Sequence, residues 1–312
     1  MKTTFLFPGQ GSQSIRMLSS MDREDPIVNK VFAEVENQLK VSVESLDTAE
    51  KLNSTVYVQL CLLISGVISA RQLLSQKITP DYLAGHSIGA FAAAVISEAI
   101  SFTDALNLVL LRATMMEQAY PEGYGMAAVV GFSESRLSCL LGAHNLENDA
   151  LYLANSNAYD QQVVAGQLSS IDKLIPSLQR SGARKVQVLS VSVPSHCPLL
   201  NDVSVALEEA LMEIKVKEPI YPCVSNHTGR IVKSAELLRK DLYKSISEKV
   251  RWYEGTTLLY ESGVRLFIEM APSGVLAKIA SSTFPEVNVI GFDEQDLNTI
   301  KWLYDHYNSN NY

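Results

Sequence analysis

Residues 82–95 read YLAGHSIGAFAAAV. A short apolar run enters a Gly-x-Ser-x-Gly turn, Gly85-His86-Ser87-Ile88-Gly89, and an alanine-rich apolar stretch leaves it. The pattern predicts a strand, a sharp turn carrying Ser87, and a helix starting at or just after Ser87. A serine there stands exposed at a sheet edge, and the glycines permit backbone shapes that a side chain forbids. The N–H groups that open the helix point at any oxyanion developing on the serine's target. The same five residues also occur as a plain packing turn; the flanking strand and helix are the context that a nucleophile requires.

Outward from the turn, strand and helix patterns alternate. TTFLF (3–7) reads as a strand running into the glycine-rich turn PGQGSQ, and residues 55–76 as a long apolar helix. SFTDALNLVLLRATMMEQAY (101–120) opens with Ser101 and Asp104 spaced as a capping box, then shows helical periodicity. The middle gives strand MAAVVGF, helix SESRLSCLLGAH and strands ALYLANSN and QQVVAG. It continues with helix SSIDKLIPSLQRSG, which Pro176 is expected to interrupt, and strand KVQVLSV. That β-α-β-β-α-β order predicts a ferredoxin-like unit. Beyond it come a helix in CPLLNDVSVALEEALMEI, strand PIYPCVSN, and strands VRLFIEM and VNVIGF separated by helix GVLAKIASSTF. The expected fold class is α/β, with a mostly parallel sheet in a large domain of residues 1–122 and 193–312 and a small domain inserted at 123–192.

The chain has 312 residues, 47% hydrophobic, and a net charge of −8, so it can bury a large core and has no overall basic footprint for nucleic acid. Cys61, Cys139, Cys197 and Cys223 are widely spaced, with no C-x-x-C pair, and the five histidines form no zinc pattern. No metal is expected, and a reduced, cytoplasmic setting fits. The opening MKTTFLFPGQGSQ is too short in apolar length for a signal peptide. VYVQLCLLISGVISA (56–70) is read as stopping short of a membrane span, so a soluble protein is expected.

A serine nucleophile needs a base. His86 is its neighbour, but adjacent side chains diverge on a tight turn, so a structural role is expected. His144 and His306 lie in polar surface stretches, and His227 in the loop SNHTGR. His196, in VSVPSHCPLL, is expected where a strand ends at Pro194 and a helix follows, which is well placed for a base; a histidine satisfied as a helix cap fits equally. Arg112 lies inside the apolar run LVLLRATMM. A buried guanidinium stays charged, so it requires either an internal carboxylate, the commoner case, or a substrate carboxylate held in a bidentate clamp. FPGQGSQ (7–13) lacks the Lys and Ser/Thr of a P-loop. Its glycines suit either a backbone N–H, that of Gln10, acting as a second oxyanion donor, or a plain tight turn.

In this order, FPGQGSQ, GHSIG, an arginine on the second helix after the turn, NSNAYDQQVVAG and VSVPSHCPLL resemble the malonyl-CoA:acyl carrier protein transacylases over nearly the whole chain. The resemblance implies an α/β-hydrolase-like core with a ferredoxin-like insertion. It implies Ser87 as nucleophile, His196 as base held by a main-chain carbonyl, Gln10 and Ile88 as oxyanion donors, Arg112 as the malonate clamp and Asn157 near the site. No cofactor is implied; malonyl-CoA is the substrate, and the phosphopantetheine-type thiol of an acyl carrier protein accepts the group. VPSH before Cys197 resembles the malonyl-selective version.

The sequence also departs from the fatty-acid enzymes. The fatty-acid enzymes usually read G-H-S-L-G-E, whereas here Ala90 and Phe91 follow the turn, and Ser245 stands seven residues before Trp252 in place of a glutamine. These features, with LDTAEKLNSTVYVQLCLLISGV, AYPEGYGMAAVVG and KVRWYEGTTLLYESGVRLFIEM, look more like the transferase subunit of malonate decarboxylase, which charges a dedicated carrier subunit. A transacylase of fatty-acid or polyketide synthesis is the alternative; a serine hydrolase and a non-catalytic scaffold are rivals of other classes. An acidic carrier would need a local basic face, for which Arg180, Arg184 and Lys185, or Arg230, Lys233, Arg239 and Lys240, are candidates.

Overall fold

A computed structural model describes residues 2–120, 122–147 and 149–309. In chain order, β1 (Lys2–Phe7), α1 (Pro26–Leu39) and α2 (Thr55–Ser75) lead to β2 (Tyr82–Gly85), α3 (Gly89–Ile96) and α4 (Phe102–Ala119). The middle holds β3 (Tyr124–Val130), α5 (Glu134–Asn145), β4 (Tyr152–Ala158), β5 (Gln161–Gln167), α6 (Leu168–Arg180) and β6 (Lys185–Val188). Then come α7 (Asn201–Met212), β7 (Cys223–Val224), β8 (Ile231–Val232), α8 (Ala235–Ser247) and α9 (Trp252–Glu261). The described chain closes with β9 (Val264–Glu269), α10 (Val275–Thr283), β10 (Asn288–Gly291) and α11 (Leu297–Ser309).

A six-stranded sheet has the order β10-β9-β1-β2-β7-β8, parallel throughout except for the β7–β8 pair. Its central strands are apolar on both faces, as helix-covered parallel strands must be. Along β1, Phe5 and Phe7 face the core shared with α2, α3 and α4, while Leu6 faces the other core, with Trp252, Leu259, Leu276 and Ile279 from α9 and α10. A separate antiparallel sheet has the order β4-β5-β3-β6. One of its faces packs on α5 and α6 through Leu137, Leu141, Ile171, Leu174 and Leu178; the other turns Met126, Val163 and Ala165 toward Cys197. Strand β4 is tied to the segment before α9, where Ser156 N–H donates to Val250 O and Val250 N–H to Ala154 O, both at 2.9 Å.

Four sequence expectations are corrected. Pro176 does not interrupt α6, because the helix spares one hydrogen bond and its apolar stripe stays anchored in the core. PIYPCVSN supplies only the two-residue β7, since Pro219 and Pro222 cannot donate to a ladder. β6 ends at Val188, so Pro194 and His196 lie in a loop rather than at a strand end. At 21 residues α2 is long and apolar enough to cross a membrane by length and composition. Its apolarity is explained by its place in the core, where most residues between Thr55 and Leu73 are buried, packed against α3 and α4.

Candidate active site

β2 ends at Gly85 and α3 begins at Gly89, so the chain must turn within three residues. Ser87 occupies the left-handed region, φ 53°, which costs a residue with a Cβ about 1–2 kcal/mol. Both flanking glycines are required by close approach. A Cβ on Gly85 would lie under 3.0 Å from the Gly89 backbone, and one on Gly89 under 3.0 Å from the Phe7 carbonyl. The turn is clasped by Asn226, whose Oδ1 accepts from Ser87 N–H and whose Nδ2 donates to Gly85 O, each at 2.9 Å.

Arg112, on α4, is 1% exposed. Its Nη2 donates to Ser87 Oγ at 3.2 Å, its Nη1 donates to Gln59 Oε1, and its Nε has no partner. The internal carboxylate, the commoner partner of a buried guanidinium, is not there: among the described residues no acid lies within salt-bridge distance of Arg112. Burial without a counter-ion pushes its pKa down to about 10, still charged near neutrality. This is a cation with unused donor capacity in a dry place, which favours an anionic group of complementary shape.

His196 is 4% exposed and also left-handed, φ 63°. Its backbone N–H donates to Ile246 O at 2.8 Å, and its Nδ1 donates to the Ser245 carbonyl. A carbonyl only accepts, so the proton sits on Nδ1 and Nε2 keeps its lone pair. Burial, reinforced by the charge of Arg112, pushes the ring's pKa down to about 3 despite the Ser245 contact. The contact uses the main-chain oxygen of Ser245, so no glutamine side chain is needed at that position to hold the ring. Ser87 Oγ is turned to Arg112, and no hydrogen bond joins it to His196 among the described residues.

Ser87, Ile88, Gln10, Asn157 and His196 all line one cavity of about 250 Å³, which lies between the two sheets. Its apolar wall includes Met126, Val163 and Ile279. Arg112 stands behind that wall and reaches it through Ser87 and Gln59, which do line it. The Ser87 N–H is taken by Asn226, whereas those of Gln10 and Ile88 have no hydrogen-bond partner among the described residues. Asn157 Oδ1 lies 3.1 Å from His86 Nε2, and the His86 ring meets Trp252 edge-on. His86 therefore belongs to the wall as well as to the turn, and burial lowers its pKa. His227 pairs with Asp241 at 2.9 Å outside the cavity, and His144 and His306 do not line it. No cluster able to hold a metal occurs among the described residues.

Sequence reasoning missed Gln59 and Asn226. Gln59 carried the same signal as Arg112, a polar group in a buried helical run. Asn226 carried none, because its partners lie 139 and 141 residues away.

Comparison with known proteins identifies the family. Residues 4–300 match the acyl transferase domain family. The malonyl-CoA–acyl carrier protein transacylase of Bacillus subtilis is 30% identical over 299 residues, covering 95% of this chain and 94% of that one. The Escherichia coli K12 transacylase of the same name is 33% identical over 279 residues, covering 87% and 89%. The crystal structure of FabD from Acinetobacter baumannii superimposes with a TM-score of 0.92 at 29% identity, over 98% of this chain and 99% of that one. A type II polyketide acyl carrier protein bound to its malonyl-transacylase contains a chain with a TM-score of 0.88 at 30% identity, over 93% and 96%. With a Gly-x-Ser-x-Gly turn and a histidine lining one cavity, and behind the serine a buried arginine without a counter-ion, the chain belongs to the acyl transferase family and is an acyltransferase of the malonyl-CoA:acyl carrier protein transacylase type.

Proposed function

We propose that the chain moves a malonyl group from malonyl-CoA to the thiol of an acyl carrier protein by way of an ester on Ser87. The observation that carries this reading is Arg112, buried without a carboxylate and in contact with the reacting oxygen itself. A malonyl carboxylate bound to the guanidinium would set the thioester carbonyl against Ser87 Oγ, so binding of the remote charge supplies the orientation the reaction needs.

In the first half-reaction Ser87 Oγ bonds to the thioester carbon while its proton passes to His196 Nε2. The oxyanion is received by the Gln10 and Ile88 N–H groups. The C–S bond then breaks, and the proton leaves His196 with the CoA thiol. The carrier thiol reverses the sequence: it gives its proton to His196, its sulfur bonds to the ester carbon, and Ser87 leaves with the proton returned. Asn157 steadies His86 in the wall beside the turn.

The named relatives are transacylases of the general type, which supports a fatty-acid or polyketide carrier over the dedicated carrier of malonate decarboxylase. Strand order β4-β5-β3-β6 and the helices on both faces of the larger sheet support a ferredoxin-like unit at 123–192 inserted in an α/β-hydrolase-like core. Four unpaired cysteine thiols suit a reducing, cytoplasmic setting. Of the basic residues considered for docking, Arg180 and Lys185 are exposed and Arg184 is paired with Asp160; Arg230, Lys233 and Lys240 are exposed on the larger unit.

The test is Arg112→Ala. Malonyl transfer should fall about 100-fold, while acetyl transfer holds or rises. Equal losses for the two acyl groups would contradict the clamp.

A further inference from the structure

The two residues read as nucleophile and base are far apart in sequence, yet both are fastened to one helix, α8. At its end, the carbonyls of Ser245 and Ile246 take His196 Nδ1–H and N–H. One turn earlier, Asp241 is 1% exposed, and its Oδ2 lies 3.4 Å from Asn226 Nδ2. Its Oδ1 accepts from Ser225 Oγ at 2.7 Å, His227 Nδ1 at 2.9 Å and His227 N–H at 3.1 Å. Asn226 in turn clasps Gly85 O and Ser87 N–H. A continuous path of buried hydrogen bonds thus runs from Ser87 through Asn226 and Asp241 into the helix that holds His196.

From this path the structure assigns Asn226 and Asp241 as positioning residues for the acyl-transfer reaction: they fix the Ser87 turn at a set distance from the base. The assignment rests on the proposed roles of Ser87 and His196. Three features support a positioning role beyond a packing one. Asn226 contacts the left-handed residue itself, so it opposes relaxation of φ at Ser87 to ordinary values. By engaging the Ser87 N–H, it leaves oxyanion binding to neighbouring amides. Asp241 presents an acceptor where Asn226 has its NH₂, which matches the orientation that Gly85 O and Ser87 N–H both demand of that amide.

Asp241→Asn tests this with little change of volume. Three donors converge on Oδ1, so the new amide keeps its oxygen there and turns its NH₂ toward that of Asn226. Two donors then face each other, and Asn226 must yield. Asn226→Ala removes the clasp outright.

Both variants and wild type are mixed rapidly with malonyl-CoA and, separately, with a fluorophosphonate that labels reactive serines; adducts are timed by intact-protein mass spectrometry, and folding is followed by thermal unfolding. The expected result is a rate of Ser87 modification lowered about 100-fold in Asn226→Ala and roughly 10-fold in Asp241→Asn, with half-saturating malonyl-CoA within threefold of wild type and a cooperative transition retained. Wild-type rates in either variant that still folds would overturn the assignment. So would a loss that merely tracks the unfolded fraction or a matching rise in half-saturation. If wild type takes the fluorophosphonate but no malonyl group, the malonyl reading alone fails, and the labelling rates still decide the positioning role. Reaction with neither probe overturns both.

Discussion

Ser87 and His196 are both left-handed residues with a Cβ, at φ 53° and 63°, and both face the same cavity. They reach that state by opposite means. At Ser87 the surroundings make room: Gly85 and Gly89 have no side chains, so strand, turn and helix close on Phe7 and on each other. At His196 the surroundings hold on: Ser245 and Ile246 grip the ring and the backbone from another helix. The glycines are local and mark the sequence; the grip on His196, like the clasp of Asn226 on the Ser87 turn, is distant and leaves no mark. Strain at Ser87 is written in glycines, while strain at His196 is written only in the fold.

The largest expected effect breaks the local device. Gly89→Ala drives a Cβ into the Phe7 carbonyl, at the C-terminal end of the central strand β1, where His86 N–H already holds that oxygen. Chemical denaturation should show a loss of roughly 3 kcal/mol, and the remaining folded protein should not be acylated at Ser87. A variant as stable as wild type would mean that the turn can relax and that the glycines are not what shapes it.

A smaller effect probes the distant device through pH. Folding holds the His196 ring at a pKa of about 3, below the ordinary value of 6.5. Above 6.5 neither state is protonated and the shift has no effect. As pH falls below 6.5 the unfolded chain takes up a proton that the folded chain refuses, so stability is lost down toward pH 3. For this group the slope is at most about 1.4 kcal/mol per pH unit. Denaturant titrations between pH 7 and 4.5 should show the decline, and His196→Gln should reduce it. The acylation rate should meanwhile stay flat from pH 5 to 8, because the ring remains an unprotonated base throughout. An inflection near 6.5 would show a solvated histidine and contradict the grip described for it.

The same contrast accounts for what the sequence disclosed. The strand–turn–helix around Ser87 was legible because residues a few positions apart determine it, and so was the helix cap at Ser101, whose Oγ accepts from Asp104 N–H at 3.0 Å. Arg112 stood out as a charge in an apolar helix, but whether it met an internal acid or awaited a substrate depended on which side chains surround it in space. VQVLSV has the alternation of a strand, which predicts a strand end near His196 where the structure has a loop. In the fold, β6 pairs only with β3 and the strand ends at Val188, with one further bond from Leu189 N–H to Met126 O before the chain leaves the ladder. Asn226 and Asp241 lie 15 residues apart, and each would pass for an ordinary polar loop or helix residue. Only the sheet, by setting β7 beside β2, brings Asn226 to the turn.

In the proposed reaction Ser87 carries a malonyl group between two thiols. Intact-protein mass spectrometry after brief mixing with malonyl-CoA, in parallel with acetyl-CoA and with Ser87→Ala, tests it most directly. The expected result is a malonyl adduct on wild type, stoichiometric release of free CoA, far less acetyl adduct, and none of either on Ser87→Ala. An unmodified wild type that releases no CoA, or an adduct that persists in Ser87→Ala, would contradict it.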